Sequence, residues 1–253
     1  MESGRNHWAT TTSALATWRM HLPAAGDDAA VERIVDLVAA LLHAGRESEM
    51  FDVERTGLRI DDLCAAWRGG LRETGELPVL QTPPSFERLL RGSTLLAHYD
   101  AAGTMQETWT TQAGSLLRDL VGKDGDFTKR DAPAVRFGRS FRVAKGEPAT
   151  LDVELHTDAM FPVVADLVAP NGLVKPPPAV DNRELAARNA PRMNRLLAAA
   201  RAAAEAAGAR WELVDRDGKN KSYGYHAIRK HYARFLTESA VLAEPAPTPA
   251  KKH

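Results

Sequence analysis

The sequence predicts a mixed fold, α+β or α/β, with a mainly helical first half and a second half ordered β-β-β-α-β-α, its helices packed on a small mixed sheet. Three observations carry this expectation. Apolar residues recur at helical spacing through much of 28–71. Alternation of period two takes over in 94–111 and again in 134–156. The charge also divides. Residues 1–126 hold 12 basic and 19 acidic side chains, a net of −7, whereas residues 127–253 hold 21 and 14, a net of +7. These features set the expected organisation: an acidic, mainly helical region over 1–126 containing a β-hairpin, a basic α/β region over 127–242, and a tail over 243–253.

With 253 residues, 44% of them hydrophobic and 26% charged, the chain has the composition of a soluble globular protein able to bury a core. Its only cysteine, Cys64, excludes an internal disulfide and fits a reducing compartment. The N-terminus has no apolar run of signal-peptide length, and no stretch approaches a membrane span, so a cytoplasmic location without a membrane partner is expected. Abundant alanine points to a GC-rich bacterial coding sequence. Alternating prolines before Lys251-Lys252-His253 predict a disordered tail.

Asp27 or Asp28 is placed to cap a first helix in which Val31, Ile34, Val35, Val38, Leu41 and Leu42 repeat at helical spacing as far as Gly45. A second helix begins near Asp61 and gathers Leu63, Cys64, Trp67 and Leu71 on one side. Pro83-Pro84 breaks the chain, and Ser85 caps a short helix through Leu90. Residues 94–100 and 104–111 flank Ala101-Ala102-Gly103; Met105, Glu107 and Trp109 alternate with Gln106, Thr108 and Thr110, which is a hairpin pattern. A short helix near 112–121 and a loop over 122–126 complete the first half.

In the second half, 134–143 alternates, Lys145-Gly146-Glu147-Pro148 turns, and 150–156 alternates again. The run 161–169 is continuously apolar and of strand length, suited to burial on both faces. Asn171-Gly172 turns the chain and Pro176-Pro177-Pro178 is a stiff spacer. Asp181-Asn182-Arg183-Glu184 has a capping-box pattern and opens a long helix towards Gly208, kinked or restarted at Pro191. A strand over 210–214, a turn at Asp217-Gly218 and a last helix over roughly 223–241 follow.

The positive excess concentrates in 183–234, with 12 Lys and Arg against 5 Asp and Glu. A field of that sign suits a polyanion, nucleic acid first. The competing explanation is a basic region that closes on the acidic half of its own chain. On the long helix Arg188, Arg192 and Arg195 fall at i, i+4 and i+7 and make one stripe, beside a face of Met193, Leu196, Leu197 and Ala200. Lys219, Lys221, Arg229 and Lys230 add cations, interleaved with Tyr223, Tyr225 and His226. Tyr225 and Tyr232 also fit the buried face of the last helix.

Val164-Ala165-Asp166-Leu167-Val168, Asn171-Gly172 and Leu173-Val174-Lys175-Pro176, followed by a helix ending in glycine and a strand, resemble the TnsA-like endonucleases of the restriction-endonuclease-like fold. Glu107-Thr108-Trp109, with Leu116, Leu117 and Asp119 beyond, is similar to their N-terminal glutamate segment. The resemblance implies a magnesium-dependent nuclease in which Asp166 ligates the metal, Lys175 orients the attacking water and Glu107 supplies a further carboxylate. Leu173 stands at the position of the second acidic or amide ligand, as in a nuclease fold retained for DNA binding.

His156-Thr157-Asp158 has the spacing of two ligands of a facial-triad iron site, with His226 or His231 as the third; strand-end capping by Asp158 is the competing reading. Cys64 falls on an apolar helix face and reads as core. Three functions follow as expectations. One is nucleic-acid binding, of bacterial or mobile-element origin. Another is metal-dependent nuclease activity. The third is a structural or partner-binding role of phage, plasmid or immunity type, in which the two halves meet each other or a second copy.

Overall fold

Strand β1 (Ala16–His21) is the strand on which the largest sheet is assembled. It pairs on one side with β5 (Thr150–Leu155) and on the other with β8 (Arg210–Leu213), while β4 (Val135–Phe137) extends the sheet beyond β5, giving the order β4-β5-β1-β8. Every pairing is antiparallel. The computed structural model describes residues 6–10, 14–23, 28–74, 92–116, 132–137, 150–165 and 179–214. Its class is α+β, as the sequence predicts. Two finer expectations change: the sheet is antiparallel rather than mixed, and the first half contributes a central strand as well as helices.

Three helices and two further strand pairs complete the described residues. Helix α1 is Asp28–Glu47 and α2 is Ile60–Thr74, joined by a 3₁₀ turn at Glu54–Thr56. The hairpin is β2 (Thr94–Tyr99) with β3 (Met105–Thr110), as its alternation predicts. Strands β6 (Val163–Ala165) and β7 (Ala179–Asp181) form a separate antiparallel ribbon. Helix α3 runs Arg183–Ala206 without restarting at Pro191, and Gly208, at φ +71, ends it in the left-handed conformation glycine favours. The short helices expected after Ser85 and over most of 112–121, the last helix and the tail lie outside the described residues.

The strand carrying Val164 pairs with β7, not within the larger sheet, and β8 pairs with β1 from the start of the chain. The sheet core implied by the nuclease resemblance would instead be built from consecutive strands of 134–215.

One apolar core joins the two halves. Trp18 and Met20 of β1, Val135 and Phe137 of β4, and Leu151, Val153 and Leu155 of β5 form the inner face of the sheet, and α1 packs against both α2 and α3. Phe51, at the exit of α1, is a wedge between helix and sheet. Its ring meets Phe137 edge-on at 4.7 Å, and a Cβ at Gly92 would lie 2.6 Å from its Cζ. A Cβ at Gly45 would lie 2.8 Å from the Phe51 carbonyl oxygen. Glycine is therefore required at both places. Cys64 is buried on α2, as expected, and burial pushes its thiol pKa up.

The opposite face of the sheet is ionic. Arg19 donates twice to the buried Asp152 directly across the ladder, at 2.7 Å each. Glu154 and His156, both buried, meet at 3.2 Å, and Arg136 sits across from Glu154. At the far edge Glu212 pairs with His21 and Arg210. Opposite charges on facing strands are the arrangement in which cross-strand pairs stabilise a sheet. Asp158 sits beyond β5, where its carboxylate accepts the Ala9 amide at 2.5 Å, so the strand-end reading of this residue matches its geometry.

Within this face the Thr17 hydroxyl is buried without a hydrogen-bond partner among the described residues. An unmet buried hydroxyl costs about 1–3 kcal/mol. Thr17→Val keeps the shape and removes the group, and should raise unfolding stability by about 1 kcal/mol in urea titration.

At the start of α3, Asp181 accepts from the Arg183 guanidinium and backbone amide, which hold its carboxyl below its ordinary value. The stability this supplies is present above the unfolded carboxyl pKa and lost as pH falls through the lowered native value. Amide protection factors in the first turn of α3, taken relative to intrinsic exchange at each pH, should therefore fall below about pH 4, before those of the helix centre.

Candidate functional site

The hairpin β2–β3 has two edges that the chain treats in opposite ways. In β2 the backbone groups of residues 95, 97 and 99 point away from β3, because the even-numbered residues exchange the ladder bonds; the Asp100 amide to Thr104 carbonyl bond continues that phase. Three side chains from distant segments meet this outer edge. The Asn189 amide accepts the Ala97 N–H at 2.8 Å and donates to the Ala97 carbonyl at 3.3 Å. The Asn6 amide does the same at Tyr99, at 2.8 and 2.7 Å. Arg192 donates to the Leu95 carbonyl at 3.4 Å, and Ser93 exchanges backbone bonds with Asp52. Each asparagine therefore replaces one residue of a neighbouring strand.

Arg192 has a second role. Its other guanidinium nitrogen forms an ion pair with Glu107, which stands opposite Ala97 on β3. The arginine side chain is 8% exposed and the glutamate side chain 40%, so the pair is rooted in the core and reaches solvent at the glutamate. Basic and acidic halves of the chain meet in this contact. Arg195, from the next turn, donates to the Ser48 carbonyl at 3.1 Å.

The expected stripe of Arg188, Arg192 and Arg195 therefore does not stand open to solvent along its length. Arg192 is buried because it belongs to the inward row Leu185, Asn189, Arg192 and Leu196, which has the same helical spacing as the stripe inferred from charge alone. Arg188 is exposed, with no ion-pair partner among the described residues. Elsewhere in 183–214, Arg183 pairs with Asp181, Arg201 with Glu205 and Arg210 with Glu212. Four of the six arginines of α3 and β8 are thus neutralised by carboxylates. Lys219, Lys221, Arg229 and Lys230 lie outside the described residues.

Of the three residues carried over from the nuclease resemblance, Asp166 and Lys175 also lie outside the described residues. Glu107 is described, on a strand rather than a helix, and is held by Arg192. A carboxylate already compensated by a guanidinium is a poorer metal ligand than a free one. Among the described residues, no group of three or more His, Cys, Asp and Glu could hold a metal ion. His156 contacts Glu154.

The outer edge of β3 is the counterpart of the sealed one. The backbone groups of Met105, Glu107 and Trp109 point away from β2 and have no hydrogen-bond partner among the described residues. Gln106 and Glu107 are exposed, and Met105 and Trp109 half-buried. Arg55 lies over the Trp109 ring, 4.1 Å from its centroid, and is itself held 3.5 Å from Asp52. The edge therefore carries an aromatic group fixed in place beside free backbone donors and acceptors.

Asn189 and Asn6 were missed by sequence reasoning. A signal for Asn189 exists: it is an amide within the apolar row of α3, where an unpaired polar group would be costly. Asn6 has no local signal. Comparison with models of known protein families, with curated proteins and with solved structures finds no match for this chain.

Arg192→Ala should cost about 2–3 kcal/mol in urea unfolding, since it strands both the Leu95 carbonyl and Glu107. Asn189→Ala should cost a similar amount. Glu107→Gln, which keeps an acceptor for Arg192, should cost less than about 1 kcal/mol.

Proposed function

We propose that this chain is a partner-binding protein whose acidic and basic halves close on each other and whose β3 edge receives an extended strand from its partner. The observation that carries the reading is the asymmetry of the hairpin: side chains occupy one edge, and the other stays unpaired among the described residues. Edge strands are usually blunted with lysine, proline or a bulge. β3 reads Met-Gln-Glu-Thr-Trp-Thr, contains neither residue, and keeps unbroken register with β2. In strand addition the backbone supplies affinity and alternate side chains supply selectivity, here Met105 and Trp109 on one face.

The Arg192–Glu107 pair accounts for part of the charge split without an external polyanion. The nucleic-acid reading then draws its support from Lys219, Lys221, Arg229 and Lys230. The nuclease reading, with its magnesium, draws on Asp166 and Lys175.

Selection of displayed random heptapeptides on the immobilised protein tests the proposal. Sequences of alternating apolar and polar residues should be enriched. Their affinity should fall about tenfold for Met105→Pro, which deletes one outward N–H at the strand's first residue and corresponds to loss of one hydrogen bond. Enriched peptides that bind wild type and Met105→Pro equally would place recognition elsewhere and overturn the reading.

A further inference from the structure

We infer that the strand received by β3 is β3 of a second copy of this chain, paired antiparallel about a two-fold axis through Glu107. The inference rests on the partner-binding reading and adds the occupant and its register.

The sequence of the strand is complementary to itself in that register. The outward-pointing residues are Met105, Glu107 and Trp109, so free N–H groups meet free carbonyls only where odd residues face odd residues, and the pairing centred on Glu107 is the one that engages all three. Centred on Glu107, each Met105 faces Trp109 of the other copy, a thioether against an aromatic ring, at both ends of the pairing. On the opposite face Gln106 meets Thr108, two polar side chains able to hydrogen-bond. The two Glu107 side chains would stand across the axis from each other. Like charges directly opposed normally oppose pairing. Here each glutamate is already compensated by Arg192 of its own chain, which draws the carboxylate back over β2 and away from the axis. The buried guanidinium thus makes an acidic residue tolerable at the centre of a symmetric contact. Arg55 holds Trp109 from the side of its own chain, limiting the freedom the ring would lose on docking.

A six-residue strand pairing with two such side-chain contacts is a small interface, so the dimer is reversible and concentration-dependent. Sedimentation equilibrium of the full chain across the micromolar range should show monomer and dimer. Trp109→Glu should raise the dissociation constant about tenfold or more, and Met105→Lys/Trp109→Glu should restore it by placing opposite charges across both outer pairs. Gln106→Cys/Thr108→Cys provides a second readout that leaves Trp109 in place. In the proposed register these residues form non-hydrogen-bonded pairs about 4.5 Å apart at Cα, and mild oxidation should yield a covalent dimer.

A wild-type chain that stays monomeric throughout, or a dimer indifferent to both Trp109→Glu and Met105→Pro, overturns the inference. If the chain is monomeric while selected heptapeptides still lose affinity for Met105→Pro, the occupant is a foreign strand and the partner-binding reading stands. If neither peptide nor second copy engages the edge, both fall.

Discussion

The structure depends on how the outer edge of β2 is satisfied. A strand buried on both faces must find partners for the backbone groups on both of its edges, and β2 has a strand on only one side. Asn6, Asn189 and Arg192 supply the missing partners, together with the Asp52–Ser93 bridge. Left open, these buried amides and carbonyls would each cost about as much as a lost hydrogen bond. Three residues thereby fix the position of the N-terminal segment, the hairpin and α3 relative to one another. Asn189 also donates to the Ala159 carbonyl at 3.3 Å, which brings the segment after β5 into the same junction. Its polar atoms hold together segments that apolar packing alone would locate less uniquely.

The larger sheet solves a related problem differently. Its inner face is packed with aromatic and aliphatic side chains, and its other face carries charges of alternating sign across the ladder. Among the described residues, helix docking uses charge in the same way, as where Arg68 of α2 meets Glu32 and Asp36 of α1. Net charge counted by halves is blind to this, because pairing is decided by register and helix docking. The acidic and basic halves differ by composition, yet the strand at the centre of the basic half's sheet comes from the acidic half.

Elements with long local periodicity were legible in the sequence. α1, α2, the hairpin and α3 each repeat their apolar residues often enough for the period to be read, and Gly208 marks the end of α3 as expected. β1 was not read, although Ala16, Trp18 and Met20 alternate with Thr17, Arg19 and His21. Its six residues carry two charged or titratable side chains whose partners, Asp152 and Glu212, lie more than a hundred positions away in sequence. The pairing of β6 with β7 was likewise beyond local pattern. At the candidate site, Glu107 was singled out as a chemical residue and placed correctly on a hairpin, while Arg192 was placed on the wrong side of its helix. Reading arginines every third or fourth position selects a stripe by charge; the row through Leu185, Asn189 and Leu196 selects the buried one. Two rows of the same spacing compete, and only the location of the neighbouring strand decides between them.

The one-sided seal also sets a limit on growth. A ribbon with both edges free can add copies indefinitely and end as a fibre. With β2 closed by asparagine and arginine side chains, the hairpin keeps one edge at which another strand can join, and a symmetric contact through that edge consumes it on both molecules at once. Loosening Asn6 or Asn189 would therefore do more than weaken the monomer. It would expose a second adhesive edge and turn an assembly that stops into one that propagates.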